Sequence, residues 1–468
     1  MKGVAPVHVL CFALACSPLP DATTGGETGT SSEPGTTTTV PTTTDPADPG
    51  DTTTTAGDDT TAATTGEPAT TDGSDTGAAP SGCQEIVISD PALEAAIRDE
   101  LGVPEGPISS AAALALADLS SSTVPIETLD GLQCFPNLRS LRLISVVSDL
   151  GPLESLDSLA SLELRSSKVT DLSPLLGAPS LGSLDLSDTP LSDIGPLATI
   201  PTLQRLVLES TPVTDFSPLT GLPKLATLAI DGTHPADLKP LATLPELSSL
   251  RMAGCDLTDI DGLAGAPVLR DLTIRDNAIA DISVLGGMER LHHLDAANNL
   301  IVDLAPLAPH ELLMTLHLAN NSIVSLEPLA GAAWLSDLNV DQNPLQGLQG
   351  LEGLELGDLS AQAAGLTSLV AVAPTRLRFL RIADNDITDL APLAGHTWLQ
   401  EVHAAGNDIA SLASIADAPW VLARCAYMDL AGNPLDAETL TTYLPGMCAL
   451  DMFLQWDGDS CMSLACPQ

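Results

Sequence analysis

The chain has 468 residues and a formal charge of −44, from 61 acids against 17 bases, with 44% hydrophobic residues but only 2% aromatic ones. That balance excludes a sequence-independent nucleic-acid binder, which needs clustered Lys and Arg for phosphate contacts. It also excludes an ordinary globular core anchored by aromatic side chains, and the abundance of Leu points instead to a repeated aliphatic core.

The chain opens with Met1 and Lys2 ahead of a short apolar run, Val4 to Ala15, which reads as an export signal over residues 1–16. Ala13-Leu14-Ala15-Cys16-Ser17 resembles a bacterial lipobox, with Ala13 standing where Leu is usual, and the resemblance implies lipidation of Cys16. Plain secretion and a start without a signal stay open beside it. No run of eighteen apolar residues occurs, so no spanning helix is expected. Residues 17–82 hold 22 Thr and 11 acids with no Lys, Arg or aromatic residue, a composition expected to stay unfolded as an acidic, Thr-rich linker.

Regular structure is expected from Cys83, with an N-terminal cap over 83–115. Asp90 before Pro91, then Leu93, Ala96 and Ile97 at helical spacing, predicts one short amphipathic helix ending near Gly102. From Leu116 to about residue 435 a period of about 22 residues takes over, with the pattern L-x-x-L-x-L-x-x-N/T-x-I/L/V-x-D-L/I-x-P-L. Fifteen units open at Leu116, Leu138, Leu159, Leu181, Leu203, Leu225, Leu247, Leu269, Leu291, Leu313, Leu335, Leu356, Leu377, Leu399 and Cys425, and the fourth position is Leu in thirteen of them. Such self-similarity marks a solenoid.

The spacing dictates the physics of a unit. Alternation at the fourth and sixth positions, as in Leu206 and Leu208, makes a short strand with both Leu inward, and successive strands stack in parallel about 4.8 Å apart. Asn at the ninth position (Asn277, Asn299, Asn321, Asn343, Asn385, Asn407) is suited to satisfying buried backbone groups at the turn, and Cys255 replaces it once. Asp then Pro, as in Asp171 and Pro174 or Asp215 and Pro218, opens a tight turn or 3₁₀ segment. The expected fold is an α/β solenoid: a leucine-rich-repeat horseshoe with a parallel concave sheet and short turns or 3₁₀ segments on the convex side.

Over residues 86 to 435 the chain resembles the internalin-like bacterial leucine-rich-repeat proteins. The 22-residue period, the Asp-Leu/Ile-x-Pro-Leu turn and the Asp90-Pro91…Leu93-Glu94…Ile97 cap carry the resemblance. It implies a binding surface on the concave face; the ligand is not inherited with the fold. Internalin-type faces that grip proteins tend to carry exposed aromatics, and the columns here are expected to hold only Phe379 and Tyr427.

Nine cysteines are present. Cys11 and Cys16 fall in the signal segment and Cys255 in the turn column. Cys83 and Cys134 flank the N-terminal cap and first repeat and are expected to pair. Cys448 and Cys461 are expected to close a C-terminal cap over 436–468, with Cys425 and Cys466 as a candidate third bridge. The terminal cysteines lack C-x-x-C spacing and a nearby His, so no metal is expected there.

No catalytic motif emerges: His310-Glu311 begins like a zincin helix but has Met314 where the second His must stand, and no nucleophile elbow or phosphate loop occurs. Neither cofactor nor enzyme activity is expected. The outward strand positions carry nine Arg (Arg139, Arg142, Arg165, Arg205, Arg251, Arg270, Arg275, Arg378, Arg381) against twelve acids and no Lys. Arg favours interfaces because its planar fork makes paired hydrogen bonds. The opposing reading is that neighbours such as Arg142 and Glu163 satisfy each other. His293 and His317 share columns with Asp271 and Asp295, an arrangement that reads either as a solvated sheet face or as a ligand site.

These features converge on a monomeric, exported binding or adhesion module, at the outer membrane or cell surface as a lipoprotein or else secreted. It would recognise a protein or anionic glycan on its concave face and touch a membrane only through an N-terminal lipid. A structural envelope or spacer protein is the alternative.

Overall fold

In a computed structural model of the chain, residues 83, 85–266, 268–372, 376–422 and 425–461 are described. The signal segment, Cys16, the Thr-rich stretch to residue 82 and Cys466 lie outside them.

The cap begins with helix α1 (Pro91–Leu101), and its boundaries follow from local chemistry. Asp90 Oδ1 accepts from the backbone N–H of Ala92 and Leu93 at 2.8 and 3.0 Å, and Gly102 ends the helix in the left-handed conformation at φ 63°. A short second helix, α2 (Ser110–Ala115), which the periodicity did not reveal, leads into the first strand. Asp90 Oδ2 also accepts from the N–H of Glu127 and Thr128 at 2.6 and 3.3 Å, which ties the helix to the first repeat. Burial pushes this carboxyl up, but the four amides outweigh it and hold it below the usual carboxylate range. Asp90→Ala, read by thermal melting at pH 7, should therefore cost about 2 kcal/mol, more than a simple cap, because buried amides are orphaned as well.

Strand β1 (Asp118–Ile126) pairs in parallel with β2 (Ser140–Ser145), and the ladder runs without a crossover through short strands from β3 (Ser161–Glu163) to β15 (Tyr427–Asp429). It does not stop there. β16 (Phe453–Trp456) adds one more parallel strand, and β17 (Asp459–Cys461) folds back antiparallel on it to close the edge. Bridges Cys83–Cys134 and Cys448–Cys461 staple the two ends. Cys425 is also disulfide-bonded, and its expected pairing with Cys466 lies outside the described residues. Unlike the Leu that opens other units, Cys425 is exposed, and Ala426 is buried beside it.

Between strands the convex side is made of 3₁₀ turns such as Ser173–Leu175 and Ala305–Leu307. The recurrent Asp sits just ahead of many of these turns and accepts from the first N–H, as Asp171 does from Ser173, Asp215 from Ser217 and Asp303 from Ala305, all at 2.8 Å, and Ser325, Ser368 and Ser411 take its place in three units. Hydrogen bonds from Ser173 and Ser217 hold the Asp171 and Asp215 carboxyls below the usual range.

The ninth-position Asn column forms a second rail. Asn321 Nδ2 donates to the carbonyls of Ala296, Leu318 and Ala319 at 3.0, 2.9 and 3.4 Å, and its Oδ1 accepts from Ile301 N–H at 2.9 Å. Asn299, Asn343, Asn385, Asn407 and Asn433 bond in the same way. Where Thr stands instead, as at Thr211, the hydroxyl reaches only the carbonyl three residues back. Cys255 is buried in this column and its thiol faces the Ile230 carbonyl at 3.2 Å. One position earlier, Asp276, Asn298, Asn320 and Asp384 adopt φ between 55° and 60°. Polar residues and Gly supply most of these left-handed steps, with Ala363 as an exception at φ 49°.

Candidate binding face

The period-2 alternation of each strand places Leu inward and its neighbours on the concave face, so the sheet register decides which outward side chains meet. Over the first strands the Arg residues are largely neutralised by adjacent acids. Arg142 Nε lies 2.6 Å from Glu163, and Arg165 lies 3.0 Å from Asp185 and 3.4 Å from Glu209. Arg251 grips Asp231 and reaches Glu209 at 4.0 Å. Arg275 lies 3.3 Å from Asp276 and 3.8 Å from Asp295. Paired with their neighbours, these four offer little free charge to a ligand. Arg139, Arg205 and Arg270 are exposed and form no ion pair among the described residues.

The two His columns are as the spacing implies: His293 is in register with Asp271, and His317 with Asp295. The four side chains nevertheless do not converge. His293 faces Asp271 at 3.9 Å, while His317 turns to Asp337 on the following strand at 3.5 Å and Asp295 goes to Arg275. The bond to Asp337 raises the His317 pKa against the effect of burial. Among the described residues no three His, Cys, Asp or Glu side chains are placed to hold a metal ion.

The far end of the face differs. Strands β11 (Asp337–Asn339), β12 (Asp358–Ser360), β13 (Phe379–Arg381) and β14 (Glu401–His403) lead to β15 and β16, and register stacks Phe379, Glu401, Tyr427 and Phe453 in one column. Phe453 corrects the expectation that only Phe379 and Tyr427 are aromatic on this face. All three rings are half-buried. The Arg378 guanidinium lies 5.2 Å from the centre of the Phe379 ring, a cation–π contact, and the His403 and Tyr427 rings are 4.9 Å apart.

Next to this column is an open concavity of about 470 Å³, lined by His317, Asp337, Asp341, Asp358, Gln362 and Arg381 among others. Asp341 is occupied by bonds from the Ser360 hydroxyl and Gln362. Burial pushes the Asp358 carboxyl up, and neighbouring Asp337 adds to it. Arg381 is half-buried at the edge of this concavity and, among the described residues, forms no ion pair.

His310 is no ligand: it is fully buried in the core below a convex turn. No helix among the described residues is long and apolar enough to cross a membrane.

Strand ladder, Asn rail and 3₁₀ convex turns together define the leucine-rich-repeat solenoid. Solved structures share this fold. A leucine-rich-repeat protein of Leptospira interrogans is 18% identical with a TM-score of 0.64, covering 72% of this chain and 88% of its own. The functional domain of InlJ from Listeria monocytogenes, described as including a cysteine ladder, is 18% identical with a TM-score of 0.56, covering 73% and 79%. An internalin of the same organism, InlF, is 23% identical with a TM-score of 0.51, covering 78% and 94%. No family model matches the sequence. No curated protein matches it either.

Proposed function

We propose that the chain is a non-catalytic binding module that recognises a protein partner with the last third of its concave face. The observation that carries this reading is the Phe379–Tyr427–Phe453 column, with Arg378 and Arg381 beside it. Aromatic and Arg side chains dominate interface energetics, and an aromatic column left half-open to solvent offers a partner apolar area that the paired Arg residues nearer the start of the sheet do not. That shifts the weight of recognition away from Arg142, Arg165, Arg251 and Arg275.

The expected result is that Phe379→Ala with Tyr427→Ala lowers capture of an extracellular partner at least 100-fold, since two such anchors are together worth about 3 kcal/mol or more. Parallel affinity capture with the wild type and the double variant, read by mass spectrometry, tests it. A partner held equally by both would remove the concave-face reading.

Export fits the same picture. The disulfide staples at both ends belong to an oxidising compartment, and Cys16 is the proposed lipid site. Intact mass of the protein from its native membrane fraction is expected to show a diacylated Cys16 at the new N-terminus. An unprocessed Met1 would overturn it.

A further inference from the structure

Only four Trp occur in the chain. Trp420 is buried and donates to the Leu393 carbonyl at 3.0 Å, whereas Trp334 and Trp398 are 63% and 62% exposed. These two occupy one repeat position, the residue just before the unit-opening Leu335 and Leu399. That position lies on the rim where the convex side turns back into the strands, off the concave face. In the two units between them it is filled by Glu355 and Arg376, which are exposed and ion-paired at 3.4 Å. Because β11 to β14 are consecutive in the sheet, the four side chains form a row across neighbouring units, Trp334, Glu355, Arg376, Trp398. Three strand spacings separate the indoles, about 14 Å.

We propose that this row binds a neutral oligosaccharide. It is a surface distinct from the aromatic column above and does not depend on that reading. Two flat indoles at the ends are platforms for the apolar faces of sugar rings, and an amphipathic indole left in water gains by covering one. The central pair supplies carboxylate acceptors and guanidinium donors to the hydroxyls of the sugars bridging them. Charge selects the class of glycan. The row itself sums to zero, so it holds no excess cation for an acidic polysaccharide, and a chain of net charge −44 repels polyanions as a whole. A basic ligand finds no surplus carboxylate there, because Glu355 already faces Arg376.

The test uses the full-length protein on an array of immobilised neutral and acidic glycans, beside Trp334→Ala with Trp398→Ala. Melting temperature serves as the folding control, since neither indole is part of the core. We expect retention of at least one neutral glycan with a signal reduced at least tenfold in the double variant, and a weaker loss for Glu355→Gln with Arg376→Gln. Acidic glycans bound in preference, no neutral glycan bound, or neutral binding unchanged in the double variant would each overturn the proposal. Loss of a protein partner but of no glycan in the double variant would also overturn it, and would assign the rim to protein contact.

Discussion

Asn321→Leu should destabilise the protein by on the order of 3 kcal/mol or more, although Leu fills similar space in an apolar environment. Asn321 is only 8% exposed and serves four backbone groups at once: three carbonyls and the Ile301 N–H. Leu cannot replace any of these bonds, and each buried backbone group left unpaired costs about 1–3 kcal/mol. Transfer of the added apolar surface out of water returns only part of that. Thr211→Val is the contrasting case, since it removes a single hydroxyl bond to the Leu208 carbonyl and should cost about 1 kcal/mol. Urea unfolding of the two variants beside the wild type measures both. A shift within about 0.5 kcal/mol for Asn321→Leu, the range of an ordinary surface change, would show that the rail is not structural.

The second large effect concerns pH. His310 and His396 occupy the same repeat position, the twentieth, which is Leu222, Leu244, Ala266 and Met288 in other units. They are 0% and 1% exposed. Nε2 of His310 and both ring nitrogens of His396 have no well-formed hydrogen bond. Burial lowers both pKa values below 6.5; backbone carbonyls around His310 and the charge of Glu289 oppose this for His310, and the Val372 backbone opposes it for His396.

Linkage sets the sign. The unfolded chain binds protons on these rings more readily than the folded one, so their contribution is fully present above pH 6.5 and is lost as pH falls toward the depressed folded values. At pH 5 the loss is at most about 2 kcal/mol for each ring, because one pH unit is worth about 1.4 kcal/mol. Melting curves at pH 7.5 and 5.0 should show a drop for the wild type that is much smaller in His310→Leu with His396→Leu, which carry the side chain of sister units. Equal drops in both proteins would place the acid sensitivity elsewhere.

Much of this architecture is legible before any coordinates. Leu at the first, fourth and sixth positions defines strand direction, and a fixed period carries that direction into register, which is why Asp271 meets His293 and Asp295 meets His317 in the sheet. The Asn and Asp columns are legible for the same reason: each answers a backbone demand that recurs in every unit. Side-chain choice between neighbouring strands is not periodic. Register sets His317 directly opposite Asp295, yet its imidazole turns to the diagonal Asp337 at 3.5 Å, while Asp295 lies 3.8 Å from Arg275.

Phe453 was hidden because its strand follows a helical detour, Thr439 to Cys448, and lacks the repeat's turn residues, although Met452, Leu454 and Trp456 alternate with Phe453 and Gln455 as a strand requires. The burial of His310 and His396 has a signal in the sequence, namely that the sister residues Leu222, Leu244, Ala266 and Met288 in that column are all apolar.

The β16–β17 hairpin and the two terminal staples also bear on how such a chain changes over time. A stack of parallel strands is open-ended by construction, and whatever closes its ends need not be rewritten when its middle is. Interior units meet only units like themselves, through the same Leu and Asn rails on either side. Duplication or deletion of a whole unit therefore leaves every junction chemically familiar, while a fragment inserted within a strand or at the Asn turn would break the rails. Length in this molecule is counted in units, and the three units of 21 residues opening at Leu138, Leu335 and Leu356, with the one of 26 opening at Leu399, show that the rails accept a few residues lost or gained between them.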